Sequence, residues 1–129
     1  MIKKRVLLVD DEPDFVEFIK LRLEEGSNYE VKGLLDAKDI IFHVHTFNPD
    51  VILLDLLMPG IGGLEACEIL NKDPLGITIP IIILTALDKE VDKVKAYKLG
   101  VVDYLVKPVE SSILLEVVER AIKAKTQRT

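Results

Sequence analysis

Five polar residues stand where short apolar runs end, and their types could carry chemistry together. Asp10 and Asp11 follow the first run, Asp55 the second and Lys107 the fourth, while Thr85 ends the third. The runs are residues 6–9, 51–54, 81–84 and 104–106. Continuous apolar runs of this length are typical of strands buried on both faces of a parallel sheet. Because ligands bind outside the carboxyl ends of such strands, we expect these residues to form one site.

The rest of the chain supplies the elements that must position this site. The pattern predicts strands at about 4–10, 29–33, up to 55, 80–85 and up to 107. It predicts helices at about 13–25, 36–47, 63–72, 88–99 and after residue 108. Right-handed crossovers then favour an α/β, three-layer, doubly wound fold with a five-stranded parallel sheet in the order 2-1-3-4-5 and five helices. This flavodoxin-like order brings Asp10, Asp11 and Asp55 together.

Apolar spacing also predicts which side chains pack inward. In the first helix they are Phe15, Phe18 and Ile19. In the last helix they are Leu114, Val117, Val118, Ala121 and Ile122. Cys67 shares one helical stripe with Leu64 and Leu70, which predicts a buried, inert thiol.

Composition excludes several classes of protein. With 129 residues, 49% of them hydrophobic and 30% charged, the chain predicts one globular domain. No stretch approaches the roughly 20 apolar residues that cross a bilayer, so no membrane association is expected. The net charge of -5 and the absence of a basic stripe argue against nucleic-acid binding. A single cysteine fits a reducing compartment, which predicts the cytoplasm.

The crowded carboxylates predict a cation. Asp10, Asp11 and Asp55 would repel one another unless positive charge joined them, and Lys107 offsets only one charge. A hard divalent ion such as Mg²⁺, bound by oxygen ligands, would offset the rest. Asp55 is then a possible nucleophile toward phosphorus, with the lysine and the metal stabilising charge on the transferring group. Thr85 could donate a hydroxyl hydrogen bond to that group.

These residues, in this order, resemble the receiver domain of response regulators, the phosphorylated half of bacterial two-component signalling. The resemblance covers residues 1–129 as one receiver domain, with no effector domain in the chain, and rests on segments 7–12, 54–60, 83–86 and 100–108. It implies that Asp55 accepts a phosphoryl group from a sensor histidine kinase or a phosphotransfer protein. It also implies that Asp10 and Asp11 hold Mg²⁺ together with Asp55 and the backbone carbonyl of Leu57.

The resemblance further implies how the signal leaves the site. Lys107, joined to Pro108 by a cis peptide bond, would contact the phosphoryl oxygens. Thr85 and the backbone N–H of Ala86 would close on the phosphoryl group. Tyr104 would follow by swinging inward, which changes the surface formed by helix 4, strand 5 and helix 5. Helix 4 has few apolar anchors, as expected of an element that moves easily.

Two leucines predict a long-lived signal. In the resembled family, polar side chains two residues after the phosphoacceptor and two after the threonine help to position an attacking water. Here those positions hold Leu57 and Leu87. We therefore expect slow self-dephosphorylation.

The sequence thus predicts a signalling switch that catalyses only its own phosphotransfer and slow dephosphorylation. Two alternatives remain: a docking module that is never phosphorylated, and an aspartyl-phosphate phosphohydrolase. The output would pass to an unknown downstream protein or to an effector domain outside this chain. A homodimer through helix 4, strand 5 and helix 5 is a further possibility, and direct nucleic-acid binding by this domain is not expected.

Overall fold

Five strands and five α-helices alternate along residues 2–127, the part of the chain that the structure, a computed structural model, describes. The strands are β1 (Lys4–Val9), β2 (Tyr29–Leu34), β3 (Val51–Leu54), β4 (Ile81–Thr85) and β5 (Asp103–Val106). The helices are α1 (Pro13–Glu24), α2 (Ile40–Phe47), α3 (Gly63–Asn71), α4 (Glu90–Lys98) and α5 (Ser111–Gln127). A single 3₁₀ turn, Gly76–Thr78, follows α3.

The strands form one parallel sheet in the order β2-β1-β3-β4-β5, which confirms the predicted topology. Alternate residues of the three central strands enter two separate cores. Leu7, Ile52 and Ile83 pack on the face covered by α2, α3 and α4. Leu8 and Leu53 pack on the face covered by α1 and α5. Burial of both faces explains why these strands are continuously apolar in sequence.

The inward face of α5 is as predicted, but that of α1 is not. Val16, Ile19 and Leu23 are the buried residues of α1, whereas the Phe18 side chain is 50% exposed. The prediction of an inward Phe18 was wrong because α1 lies over β1 and β2 through the stripe that begins at Val16. Phe15 is partly buried beside the same core.

Helix α2 begins at Ile40, four residues later than predicted. Residues 36–39 form a turn instead, in which an Asp36 carboxylate oxygen accepts a hydrogen bond from the Lys38 N–H at 3.0 Å. A short polar side chain that bonds its own backbone competes with helix formation. The other element ends lie within two residues of the predicted ones. The largest difference is at α4, which begins at Glu90, and β4 begins after Pro80.

Glycine at position 63 lets α3 start directly against the end of β3. A Cβ atom at Gly63 would lie 2.4 Å from the Asp55 carbonyl oxygen and 2.7 Å from the Leu56 Cα. No larger residue fits at this approach without moving the backbone. The helix is therefore held close to the strand end that carries Asp55.

The Cys67 thiol lies in the core on α3, as its helical stripe predicts. Burial raises its pKa to about 12. None of the helices in residues 2–127 is long and apolar enough to cross a bilayer.

Candidate functional site

Asp10 and Asp55 lie side by side at the carboxyl edge of the sheet because β1 and β3 are neighbours. The Asp10 N–H donates to the Leu34 carbonyl at 3.0 Å, and the Asp55 N–H donates to the Val9 carbonyl at 3.0 Å. These bonds continue the ladder one residue past each strand. The two residues are 1% and 4% exposed, respectively. Two carboxylates are therefore removed from water at one point of the sheet.

Lys107 reaches these carboxylates from the end of β5. Its backbone N–H donates to the Thr85 carbonyl at 2.7 Å, and its peptide bond to Pro108 is cis, as expected. Its ammonium lies 2.7 Å from Oδ2 of Asp10 and 3.3 Å from Oδ2 of Asp55. The Lys107 side chain is 13% exposed. One largely buried cation thus contacts two buried anions.

The other oxygen of each carboxylate accepts a backbone N–H. Oδ1 of Asp10 accepts from Glu12 at 3.0 Å, and Oδ1 of Asp55 accepts from Leu57 at 3.1 Å. Each bond joins residues two positions apart and fixes the turn that leaves the strand. The two carboxylates consequently have defined orientations, with one oxygen toward Lys107 and one toward the backbone.

Burial and pairing act against each other on the pKa values of this cluster. Burial raises the pKa of Asp10, and the hydrogen bonds from Lys107 and the Glu12 N–H only partly offset it. Burial alone would lower the pKa of Lys107, but the bonds and charges of Asp10 and Asp55 outweigh it and raise that pKa. The lysine is therefore held in its charged form.

Four carboxylates are close enough to hold one metal ion. One oxygen each from Asp10, Asp11, Glu12 and Asp55 lies within 4.8 Å of the others. An all-oxygen donor set with several negative charges suits Mg²⁺, which takes carboxylates together with water and phosphate oxygens. The donor chemistry of the site therefore fits the predicted ion.

Sequence reasoning missed two residues that contact this site. Glu12 lies in the carboxylate cluster, and its Oε1 is 3.6 Å from Nζ of Lys107. The ring of Phe15 lies 4.1 Å from the same nitrogen, measured to the ring centroid. The place of Glu12 directly after two aspartates was a usable signal. For Phe15 no local signal existed, because its partner is far along the chain.

A second set of predicted residues lies at the end of β4. The Thr85 side chain is fully buried, and its Oγ1 accepts a hydrogen bond from the Leu87 N–H at 3.4 Å. The Tyr104 hydroxyl donates to the Leu87 carbonyl at 2.8 Å. Burial raises the Tyr104 pKa, as do the charges of three nearby aspartates. The backbone of Leu87 is thus hydrogen-bonded to both the predicted threonine and the predicted tyrosine. Ala86, which lies between Thr85 and Leu87 in the sequence, is exposed.

A family model described as the response regulator receiver domain matches residues 6–119. The chain belongs to this family. A curated relative, the alkaline phosphatase synthesis transcriptional regulatory protein PhoP of Bacillus subtilis, is 38% identical over 107 residues. That match covers 83% of this chain but only 43% of the relative. The receiver domain therefore spans less than half of that relative's length.

Solved structures match the receiver domain over nearly its full length. The receiver domain of Francisella response regulator 1452 is 35% identical, with a TM-score of 0.85 over 95% of this chain and 98% of that one. A CheY-like receiver domain protein of Methanospirillum hungatei is 25% identical, with a TM-score of 0.90 over 99% of this chain and 100% of the other. Receiver domains are signalling domains of two-component systems. As a family, they bind Mg²⁺ at an acidic cluster and interact with histidine kinases and effector domains.

Proposed function

We propose that this receiver domain is a phosphorylation-dependent switch, in which Asp55 accepts a phosphoryl group from a sensor histidine kinase or a phosphotransfer protein. The observation that carries the proposal is the buried Asp55 carboxylate, whose Oδ2 is 3.3 Å from the Lys107 ammonium at the carboxyl edge of the sheet. A buried carboxylate is costly without a functional or structural partner. Here its partner is a cation that can also contact phosphoryl oxygens.

The transfer forms one bond and breaks one. A carboxylate oxygen of Asp55 attacks phosphorus, the bond from phosphorus to the kinase histidine nitrogen breaks, and the electron pair of that bond stays on the nitrogen. Lys107 donates to the phosphoryl oxygens as the carboxylate becomes an acyl phosphate. The Thr85 hydroxyl and the Ala86 N–H donate to the same oxygens. Fixed donors aimed at developing charge lower the barrier to transfer.

The metal part of the proposal rests on the donor set. Asp10, Asp11 and Asp55, with the backbone carbonyl of Leu57, would hold Mg²⁺. When bound, the ion supplies positive charge that neutralises the crowded carboxylates and the incoming phosphoryl oxygens. Glu12 is near enough to contribute through its own oxygen.

The output of the switch is a change in the surface formed by α4, β5 and α5. Hydrogen bonds join Thr85, at the end of β4, and Tyr104, in β5, to the backbone of Leu87 in the loop that leads into α4. Among the residues of α4, Ala96 is the one that is buried, so this helix is weakly anchored. A threonine drawn toward the phosphoryl group would let Tyr104 move inward and shift the population of α4 positions.

The changed surface would act on a downstream protein, on an effector domain joined to this one, or on a second copy of this domain. Val91, Val94 and Tyr97 are exposed along α4 and supply apolar contact area for such a partner. The single cysteine and the kinase partner both favour a cytoplasmic location.

Mass measurement tests this proposal directly. The protein is incubated with Mg²⁺ and a small acyl-phosphate donor beside two variants, Asp55→Asn and Asp50→Asn, and its intact mass is followed. Asp50 precedes the same strand at its opposite end, where its Oδ2 accepts the Arg5 N–H. We expect one phosphoryl group on the wild type and on Asp50→Asn, and none on Asp55→Asn. No uptake by a wild type that binds Mg²⁺ would instead favour a docking module that is never phosphorylated.

A further inference from the structure

The Lys107 ammonium has an aromatic neighbour that the switch chemistry does not use. Its Nζ lies 4.1 Å from the centroid of the Phe15 ring. Phe15 belongs to the first turn of α1 and packs against the core shared by α1 and α5. The ring is therefore fixed by the fold, and the flexible lysine side chain lies against it.

The Lys107 ammonium has three N–H groups that can donate hydrogen bonds. It donates hydrogen bonds to Oδ2 of Asp10 at 2.7 Å and to Oδ2 of Asp55 at 3.3 Å. Oε1 of Glu12 is further away, at 3.6 Å. The negative face of an aromatic ring attracts a cation within about 6 Å of its centroid, more strongly where water is excluded. Phe15 thus adds to the attraction that holds the ammonium at the acidic cluster.

The carboxylates that the ammonium contacts are also the ones that would bind a divalent ion. Any contact that stabilises the ammonium on Asp10 and Asp55 stabilises the metal-free site. A bound ion that displaces the ammonium from these oxygens must overcome this contact, so by linkage the contact weakens metal binding by the factor with which it favours the metal-free arrangement. A residue that touches only the lysine can therefore set the metal affinity of the carboxylates.

We propose that Phe15 is a positioning residue, whose ring holds the Lys107 ammonium against the acidic cluster and thereby lowers the affinity of the cluster for a divalent cation. The proposal rests on the proposed function, in that it takes the acidic cluster as the metal site. It requires no phosphoryl group. It predicts that substitutions at positions 15 and 107 have coupled effects on Mg²⁺ affinity and on stability. A ring that only fills space in the core would not produce this coupling.

A double-mutant cycle read by Mg²⁺ binding tests the coupling. Calorimetry gives the Mg²⁺ dissociation constant of the wild type, Phe15→Leu, Lys107→Met and the double variant. We expect Phe15→Leu to tighten Mg²⁺ binding about threefold to tenfold when Lys107 is present. In the Lys107→Met background the same change should have no effect, because no cation remains for the ring to attract. Phe15→Tyr, which keeps the ring face, should stay within about twofold of the wild type.

A second cycle, read by urea unfolding in EDTA, measures the contact without metal. The unfolding equilibrium constants of the same four proteins should show a coupling of about fivefold between positions 15 and 107. If Phe15→Leu does not fold, Phe15→Met keeps an unbranched apolar side chain and replaces it in both cycles.

Equal effects of Phe15→Leu in both backgrounds would overturn the proposal, as would unchanged Mg²⁺ affinity when Lys107 is present. No Mg²⁺ binding by any of the four proteins would overturn it together with the metal part of the proposed function. A failure of Asp55 to accept a phosphoryl group, with both cycles showing the coupling, would overturn the proposed phosphorylation alone.

Discussion

The ammonium of Lys107 lies 2.7 Å from Oδ2 of Asp10, although the strands that these residues follow, β5 and β1, are not neighbours in the sheet. β3 and β4 lie between them, so the lysine side chain extends across the carboxyl edge of the sheet. The same ammonium contacts Asp55 at the end of β3. The contacts of Lys107 therefore connect the ends of β1, β3 and β5, and they bring one cation and two anions together at a site that is largely shielded from water.

Removal of this lysine should destabilise the metal-free protein. Lys107→Met leaves Asp10 and Asp55 buried without a cation, and loss of one partner of a buried pair should lower the free energy of unfolding by about 3 kcal/mol. Mg²⁺ should restore stability to the variant more than it stabilises the wild type, because it supplies the missing charge. Thermal unfolding in EDTA and in Mg²⁺ measures both effects. A variant as stable as the wild type in EDTA would contradict this account of the cluster.

Because α3 closely approaches β3, we expect alanine substitutions at two adjacent glycines to differ sharply in their effect on stability. In Gly63→Ala the new Cβ would meet the Asp55 carbonyl and the Leu56 backbone, and overpacking of this kind should cost about 1–3 kcal/mol of unfolding free energy. It should also slow phosphoryl uptake, since the strained backbone carries Asp55. Gly62→Ala is the control, because its Cβ would lie at an ordinary 3.6 Å from the Leu56 carbonyl oxygen. Chemical denaturation of both variants makes the comparison, and equal losses would show that the contact is not decisive.

The strands and the acidic edge could be predicted from sequence because burial of a strand on both faces produces a recognisable run of apolar residues. A buried parallel strand is apolar throughout, so the first polar residue after it marks the strand end. Asp10, Asp55 and Thr85 all occur at such ends, and the strand order then fixes which ends are neighbours. The structure brings Lys107 to the same edge.

Features set by contacts between distant elements were not predictable in this way. The face of α1 that packs inward depends on how the helix lies over the sheet, so apolar Phe18 is exposed where spacing alone favoured burial. Phe15 contacts Lys107 only because the lysine side chain extends across the sheet edge from the end of β5 toward the start of α1. The late start of α2 depends on a side-chain hydrogen bond of Asp36, a local competition that hydrophobic periodicity does not record.

The Asp73 carboxylate should make stability depend on acid pH. It accepts the Gly76 N–H at 2.8 Å and lies 2.9 Å from Nε2 of His45, and these bonds lower its pKa below the usual 3.8. A lowered folded-state pKa gives stability that is present above the unfolded-state value and is lost as the pH falls through the folded-state value. The difference in melting temperature between the wild type and Asp73→Asn should therefore shrink as the pH falls below about 4. A difference that is unchanged down to about pH 2 would contradict the assigned bonds.

The phosphoryl group on Asp55 should persist, because the side chains two residues after Asp55 and two residues after Thr85 offer no hydrogen bond to an attacking water. Leu57 is 49% exposed, two residues after Asp55, and Leu87 is partly buried, two residues after Thr85. Leu57→Asn should shorten the lifetime several-fold by supplying a polar group beside the acyl phosphate. Leu35→Asn is a matched control, since Leu35 is 48% exposed but follows β2, at the edge of the sheet. Decay is followed by intact mass in Mg²⁺ at neutral pH after removal of the donor. Loss of the group within seconds from the wild type, or equal lifetimes for Leu57→Asn and Leu35→Asn, would contradict the role given to this leucine.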